Sequence, residues 1–250
     1  MSTPSATVTI PVFTLLEDGS TAPNLLFHRP AIKLHSRCIE YPFAAQFLHT
    51  QERVLDLGSA QASPLWHSIL NAEVKECIFT DYICNFPSPS SLFIAADCRK
   101  LPFLDNTFDR IFAISFIEHI GLLKAQTLDH DAAYSRNGDL ETLEECKRIL
   151  KVGGELILTI PFGPKRGYSQ CASARNYSYE DIDVFSKILR PTTLDYYEYQ
   201  LMTHEGWKPA PVASTTFYGY SSWRRIPMTD ATARNDKCTD GILCSVWKRE

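Results

Sequence analysis

Four polar groups sit at the ends of short apolar runs in the middle of the chain. Asp56 and the turn Gly58-Ser59-Ala60 close the run Arg53–Leu57. Asp81 follows Glu76–Thr80, Asp97-Cys98 follows Ser91–Ala96, and Glu118-His119 follows Phe108–Ser115. A carboxylate at a strand end beside a tight turn is suited to accept hydrogen bonds from a nucleoside. Gly58 allows the backbone to turn sharply and to approach a ligand. Asp81 stands about 25 residues after Asp56, close to the ~20-residue offset of a ribose-binding acid. Asp97 can accept from an exocyclic amine, and the Cys98 backbone N–H can donate to the ring. Ser115 to His119 falls where a fourth strand would bring groups to a reacting atom. His119 is the best general base by type and position, with an ordinary pKa of ~6.5.

Each group has a plainer reading. Asp56 and Asp81 also fit helix N-caps or turn acids. Asp97, just ahead of Leu101-Pro102-Phe103, fits a turn, and His119 fits a strand-end hydrogen bond. Asp129-His130-Asp131 resembles a metal cluster, but adjacent side chains diverge, so a solvated loop and no metal are expected. Tyr168 and His130 are loop groups that could reach the site. Arg37, Glu40 and Tyr41 either close over a cofactor or only pack a helix. Arg224-Arg225 beside Trp223 could hold an anion, with a solvated loop as the default. The aromatic set Tyr196, Tyr197 and Tyr199 fits sheet packing.

The elements that must position these groups alternate. Strands are expected at Arg53–Leu57, Glu76–Thr80, Ser91–Ala96, Phe108–Ser115 and Glu155–Pro161, with helices beginning at Pro64 and spanning Asp139–Leu150. Strands alternating with helices predict βαβ units and a largely parallel sheet. Ahead of them, Thr7–Leu15 reads as a β-like run in an arm that adds a strand or covers a cleft. Ala31–His49 reads as helical on either side of Pro42. Later, Tyr177–Leu189 reads as a helix, Thr192–Leu201 and Gly241–Trp247 as strands, and Pro209–Asp240 as a long loop region. The domain expectation is an arm and helix over 1–50 covering the cleft. A catalytic domain follows over 51–250, with its cofactor half at 51–163 and an acceptor-side elaboration at 164–250.

Bulk composition sets limits. At 250 residues, 44% hydrophobic and 22% charged, the chain can bury a full core. A net charge of -4 provides no global basic field for nucleic acid. No apolar run approaches the roughly 20 residues of a membrane span. The start MSTPSATVTIPVF lacks a basic region and a long apolar region, which argues against a secretory signal. The eight cysteines form no CxxC pair, so reduced, buried thiols and a cytoplasmic location are expected.

The ordered segments VLDLGSA, TDY, AADCRKLPF, FDRIFAISFIEHI and RILKVGGELILTIPFG resemble those of class I S-adenosylmethionine-dependent methyltransferases. The resemblance covers roughly residues 50–163. It is closest to the type 11-like branch with EHIG after strand four, a later GD and PFG after strand five: Glu118-His119-Ile120-Gly121, Gly138-Asp139 and Pro161–Gly163. It implies an α/β, Rossmann-like, doubly wound sheet of seven mostly parallel strands with helices on both faces. The last strand is reversed, and Tyr196–Leu201 and Gly241–Trp247 supply the final two. It implies S-adenosylmethionine as cofactor, with Asp56, Gly58 and Ser59 along its methionine side. Asp81 would bind the ribose, Tyr82 would stack on the adenine, Asp97 and Cys98 would meet the adenine edge, and Ser115 and Glu118 would lie under the sulfonium. The usual GxGxG turn is here Gly58-Ser59-Ala60-Gln61-Ala62, a departure that bears on affinity. The expected activity is in-line methyl transfer to a small molecule such as a sugar, glycan or secondary metabolite. Competing expectations are a non-catalytic cofactor-binding partner subunit, or methylation of a protein or RNA through the basic loop.

Overall fold

The computed structural model describes residues 10–27, 35–82, 92–122, 134–163, 165–168, 174–200, 206–210 and 241–250. Strands β3 (Arg53–Leu57), β4 (Glu76–Asp81), β5 (Leu92–Ala95), β6 (Phe108–Ile114) and β7 (Leu150–Phe162) pair in parallel, in the spatial order β5-β4-β3-β6-β7. The chain builds outward from β3 to one edge, then crosses back to place β6 on the other side of β3. In open α/β sheets such a reversal is where a ligand crevice forms, here beyond the C-terminal ends of β3 and β6.

Beyond β7 the sheet continues with β12 (Gly241–Lys248), β10 (Arg190–Gln200) and β11 (Gly206–Pro209). β12 runs antiparallel to both β7 and β10, so the reversed strand lies inside the sheet rather than at its rim. The seven expected strands are all present. β11 is an eighth, paired antiparallel to β10, in a stretch that carries little apolar alternation of its own.

Alternating side chains divide between two faces, as strand geometry requires. Val54, Phe79, Phe112, Ile157, Cys244 and Val246 face helices α1 (Arg37–Ala45) and α2 (Pro64–Glu73), meeting Ile39, Phe43, Trp66 and Leu70. Leu55, Ile78, Ile111, Leu156, Leu243 and Trp247 face α3 (Gly138–Ile149) and α4 (Tyr179–Phe185). The parity that turns Ile157 toward α1 turns Thr159 the same way. At the opposite, N-terminal end of the strands, Arg110 joins Glu52 and Glu155 at 2.7 and 2.6 Å, tying β6 to β7.

Three local expectations are corrected. Of the Thr7–Leu15 run, Phe13–Leu15 is the strand among the described residues, and it lies outside the main sheet. Phe13–Leu15 (β1) pairs with Thr21–Pro23 (β2) in a hairpin that lays Phe13 against Tyr197, ring centroids 6.0 Å apart. Pro42 does not divide the first helix, because burial of Ile39, Phe43 and Ala44 outweighs the hydrogen bond it forfeits. α4 is shorter than Tyr177–Leu189, since a capping box fixes its start: Ser178 N–H donates to Asp181 Oδ2 at 2.8 Å. Asp129–Asp131, Trp223–Arg225, Cys84, Cys171 and Cys238 lie outside the described residues. The other five cysteines are buried and unbridged. Among the described residues no helix is long and apolar enough to cross a membrane.

Phe112 is fully buried at the sheet centre, its ring edge-on to Trp66 at 5.3 Å. Phe112→Ala is expected to cost about 3–5 kcal/mol, read as a fall in the midpoint of urea unfolding.

Candidate functional site

Two neighbouring strands end on left-handed residues. Gly58 follows β3 with φ 76°, and Ser115 follows β6 with φ 44°. A serine in that region is uncommon and costs energy that its surroundings must hold. They do: the Ser115 N–H donates to the Thr159 carbonyl and hydroxyl, each at 3.0 Å, and its own hydroxyl donates to Glu40. Both chains therefore turn away abruptly where β3 and β6 stop. Phe116 lies over the first turn, and a Cβ added to Gly58 would stand 2.3 Å from its ring. Any residue larger than glycine would have to displace Phe116 and adopt a strained φ.

The turn after β3 is held from below by Asp56. Ser59 Oγ donates to Asp56 Oδ2 at 2.8 Å, and Trp66 Nε1 donates to Oδ1 at 3.1 Å. Asp56 is buried, and burial pushes its carboxyl up to about 7 against those two hydrogen bonds. It shapes the turn from behind. The Gly58 N–H donates to the Thr80 carbonyl at 2.9 Å, and the Ala60 N–H donates to Asp81 Oδ2 at 3.1 Å. Thus Asp81, from β4, sits against the turn, and Tyr82 beside it is 43% exposed.

Asp97 and Cys98 lie next to the end of β4, where the Ala96 N–H donates to the Asp81 carbonyl at 3.0 Å. Asp97 is engaged by Arg99 Nη2 at 2.6 Å and by the Arg99 N–H at 2.9 Å, and the Arg99 side chain holds its carboxyl below the usual range. The Cys98 side chain points toward Thr142 in α3, with Sγ and Oγ1 3.4 Å apart, and burial pushes the thiol up to about 12. A base contact by Cys98 would therefore run through its backbone.

At the end of β6 a short 3-10 turn, Ile117–His119, carries Glu118 and His119. Glu118 is 2% exposed and its Oε2 has no hydrogen-bond partner. Burial pushes its carboxyl up to about 8, with the charge of Glu40 adding to the shift. His119 Nε2 lies 3.8 Å from Glu118 Oε1, and its side chain is 34% exposed. The histidine thus presents the reachable surface of this turn, and the acid lies beneath it.

Several participants were not assigned roles from sequence. Glu40, on α1, accepts from both Ser115 and Thr159 (3.0 Å from the latter) and pairs with Arg37 Nη1 at 2.5 Å. Burial alone would raise its carboxyl, but Arg37 and the Ser115 hydroxyl hold it below the usual range. Tyr41 accepts from the Ser63 N–H at 3.1 Å and packs on Trp66. The α1 residues therefore pack the helix against the sheet and bond to the ends of β6 and β7. Thr159, a hydroxyl inside the apolar run of β7, and Trp66 carried signals too common to single out. The expected site residues separate into a Gly58 group (Asp56, Ser59, Asp81, Tyr82), a Ser115 group (Glu118, His119) and the Asp97-Cys98 pair beside β4. Phe116 bridges the first two groups.

The family described as methyltransferase domain matches residues 83–158. An uncharacterised protein of Methanocaldococcus jannaschii is 37% identical over 67 residues, a match spanning 27% of this chain and 22% of that protein. The solved S-adenosylmethionine-dependent methyltransferase of Methanosarcina mazei aligns over 84% of this chain and 98% of its own, with TM-score 0.51 and 11% identity. The [4+2]-cyclase SpnF aligns over 81% of this chain and 76% of its own, with TM-score 0.52 and 14% identity.

In the cofactor-free protein, the raised carboxyl of Glu118 stabilises the fold fully below the unfolded-state pKa, ~4.3. That contribution is lost as pH rises through about 8. Glu118→Gln, neutral throughout, should therefore gain melting temperature relative to the parent protein between pH 5 and 9. A pH-independent offset would show that Glu118 ionises normally. Gly58→Ala should cost at least about 1–2 kcal/mol from the left-handed backbone alone, measured by chemical unfolding. The strand order and its reversal at β3 and β6 give the chain the fold of these solved structures, and residues 83–158 are similar to the methyltransferase domain family.

Proposed function

We propose that the chain transfers a methyl group from S-adenosylmethionine to a small-molecule acceptor. The observation that carries this reading is the pair of left-handed strand ends, Gly58 and Ser115, flanking the crevice with Asp81 at its side. The residues suit the cofactor: the Gly58 turn has no room for a side chain, and a buried carboxyl oxygen of Glu118 is without a partner. When bound, S-adenosylmethionine supplies a methyl group already activated on a sulfonium.

The chain's own work is then positioning and proton handling. Asp81 accepts from the ribose hydroxyls while its other contact holds the turn. Tyr82 offers an exposed ring to the adenine, and Asp97 and the Cys98 N–H meet the base edge. Gly58 and Ser59, backed by Asp56, admit the methionine portion. Ser115 and Glu118 lie beneath the sulfonium, where a mostly neutral Glu118 keeps the floor polar without a second full charge beside Glu40. His119, the exposed group of its turn, takes the proton from an acceptor hydroxyl or protonated amine. An acidic chain without a basic field favours a small acceptor over nucleic acid. The expected organisation keeps the cofactor half at 51–163, with the acceptor bound by the N-terminal arm, the 120–138 loop and the 164–235 region.

Calorimetry with S-adenosylmethionine and S-adenosylhomocysteine tests the reading, and absence of binding at millimolar ligand would contradict it. Asp81→Ala should weaken binding by about tenfold or more, since a hydrogen bond to a charged acceptor contributes roughly 1.5–3 kcal/mol. In a methyl-transfer screen over sugars, phenols and amines, His119→Ala should lower turnover by about a hundredfold or more while leaving cofactor affinity near that of the parent.

A further inference from the structure

Arg175 lies on a two-residue strand, β9 (Arg175–Asn176), and its side chain is wholly buried. Nη1 donates to the Ile120 carbonyl at 2.6 Å and to the Glu118 carbonyl at 3.4 Å. Nη2 donates to the Arg136 and Ser135 carbonyls at 3.1 and 3.3 Å. Asp139 Oδ2, 3.6 Å from Nε, offsets the guanidinium charge, and Arg166 Nη2 reaches the same oxygen at 3.3 Å.

A guanidinium presents its donors in one rigid plane, so it fixes the relative placement of the carbonyls it holds. Here those carbonyls belong to two separate stretches: the turn that carries Glu118 and His119, and the approach to α3. The two are packed without slack. The Ser135 N–H donates to the Gly121 carbonyl at 3.1 Å, and a Cβ on Gly121, φ 74°, would stand 2.2 Å from the Ser135 carbonyl oxygen. Glu118 Oε2 has no hydrogen-bond partner, so the backbone of the turn contributes directly to where that oxygen sits.

We infer that Arg175 is a positioning residue whose guanidinium sets the 117–121 turn, and through it the places of Glu118 and His119 at the reactive end of the crevice. The inference rests on the proposed function, which puts Glu118 beneath the sulfonium. Lysine cannot replace the fork, since a single ammonium cannot span four carbonyls in one plane.

The test compares S-adenosylmethionine and S-adenosylhomocysteine binding to the full chain, to Arg175→Lys and to Arg166→Ala. Arg166 shares Asp139 with Arg175, and among the described residues its guanidinium bonds to Asp139 and Asp181. Arg175→Lys, measured below its melting transition, should bind S-adenosylmethionine about tenfold more weakly. Its ratio of S-adenosylmethionine to S-adenosylhomocysteine affinity should also change, because the two ligands differ in the sulfonium charge that Glu118 faces. A loss of stability alone would leave that ratio untouched. Arg166→Ala should keep both affinities. A folded Arg175→Lys with parental affinities and ratio overturns the inference and leaves the proposed function standing. A parent protein that binds neither ligand overturns both.

Hydrogen exchange on the unmodified chain decides the case should Arg175→Lys fail to fold. S-adenosylhomocysteine should slow the His119, Ile120 and Leu122 amides together with those of residues 58–60. Slowing confined to residues 58–60 overturns the inference.

Discussion

β3 and β6 run side by side, and each stops at a residue with positive φ. For Gly58 the conformation is easy but the space is not, because Phe116 lies where a side chain would go. For Ser115 the conformation itself is costly, and three hydrogen bonds from or to its backbone and hydroxyl hold it. Neighbouring strands ended in this way turn the chain away at one level, with the Phe116 ring beside Gly58 and Glu40 beside Ser115. The placement of α1 follows from the same constraint, since Glu40 is the acceptor that the Ser115 hydroxyl requires.

The electrostatics of the crevice floor depend on that contact. Glu40, Glu118 and Asp56 are all buried within one small region. Three ionised carboxylates there would repel strongly. Arg37 and two hydroxyls settle the charge on Glu40, while burial carries Glu118 up to about 8 and Asp56 up to about 7. The acids differ because their partners differ: Glu40 has a guanidinium, Asp56 has an indole N–H and a hydroxyl, and Glu118 has an oxygen with none.

Much of this was legible in the sequence. Short apolar runs followed by acids located four of the parallel strands, and the apolar run after Gly153-Gly154 located the fifth, because buried strands are nearly continuous apolar segments. The antiparallel additions were legible as strands, but β11 has only four residues and no period to read. Phe13–Leu15 is legible as β-like, but its partner Thr21–Pro23 has no apolar run to read. Within the site, strand-end acids were visible by position, whereas Glu40 and Arg175 act from distant segments. Their partners are a hydroxyl two strands away and backbone carbonyls. Neither kind of partner leaves a spacing pattern in a single sequence. Gly121 and Gly138 were quoted as parts of a motif, and their reason emerges only where two stretches of backbone touch.

The central claim is that the crevice between the ends of β3 and β6 receives the cofactor. A crystal structure with S-adenosylhomocysteine tests it most directly. The account predicts ribose hydroxyls on the Asp81 carboxylate and the thioether between the Gly58 turn and Ser115, with Glu118 beneath it. A ligand seated elsewhere on the chain, or one that leaves Asp81 and Gly58 without contact, would contradict the account.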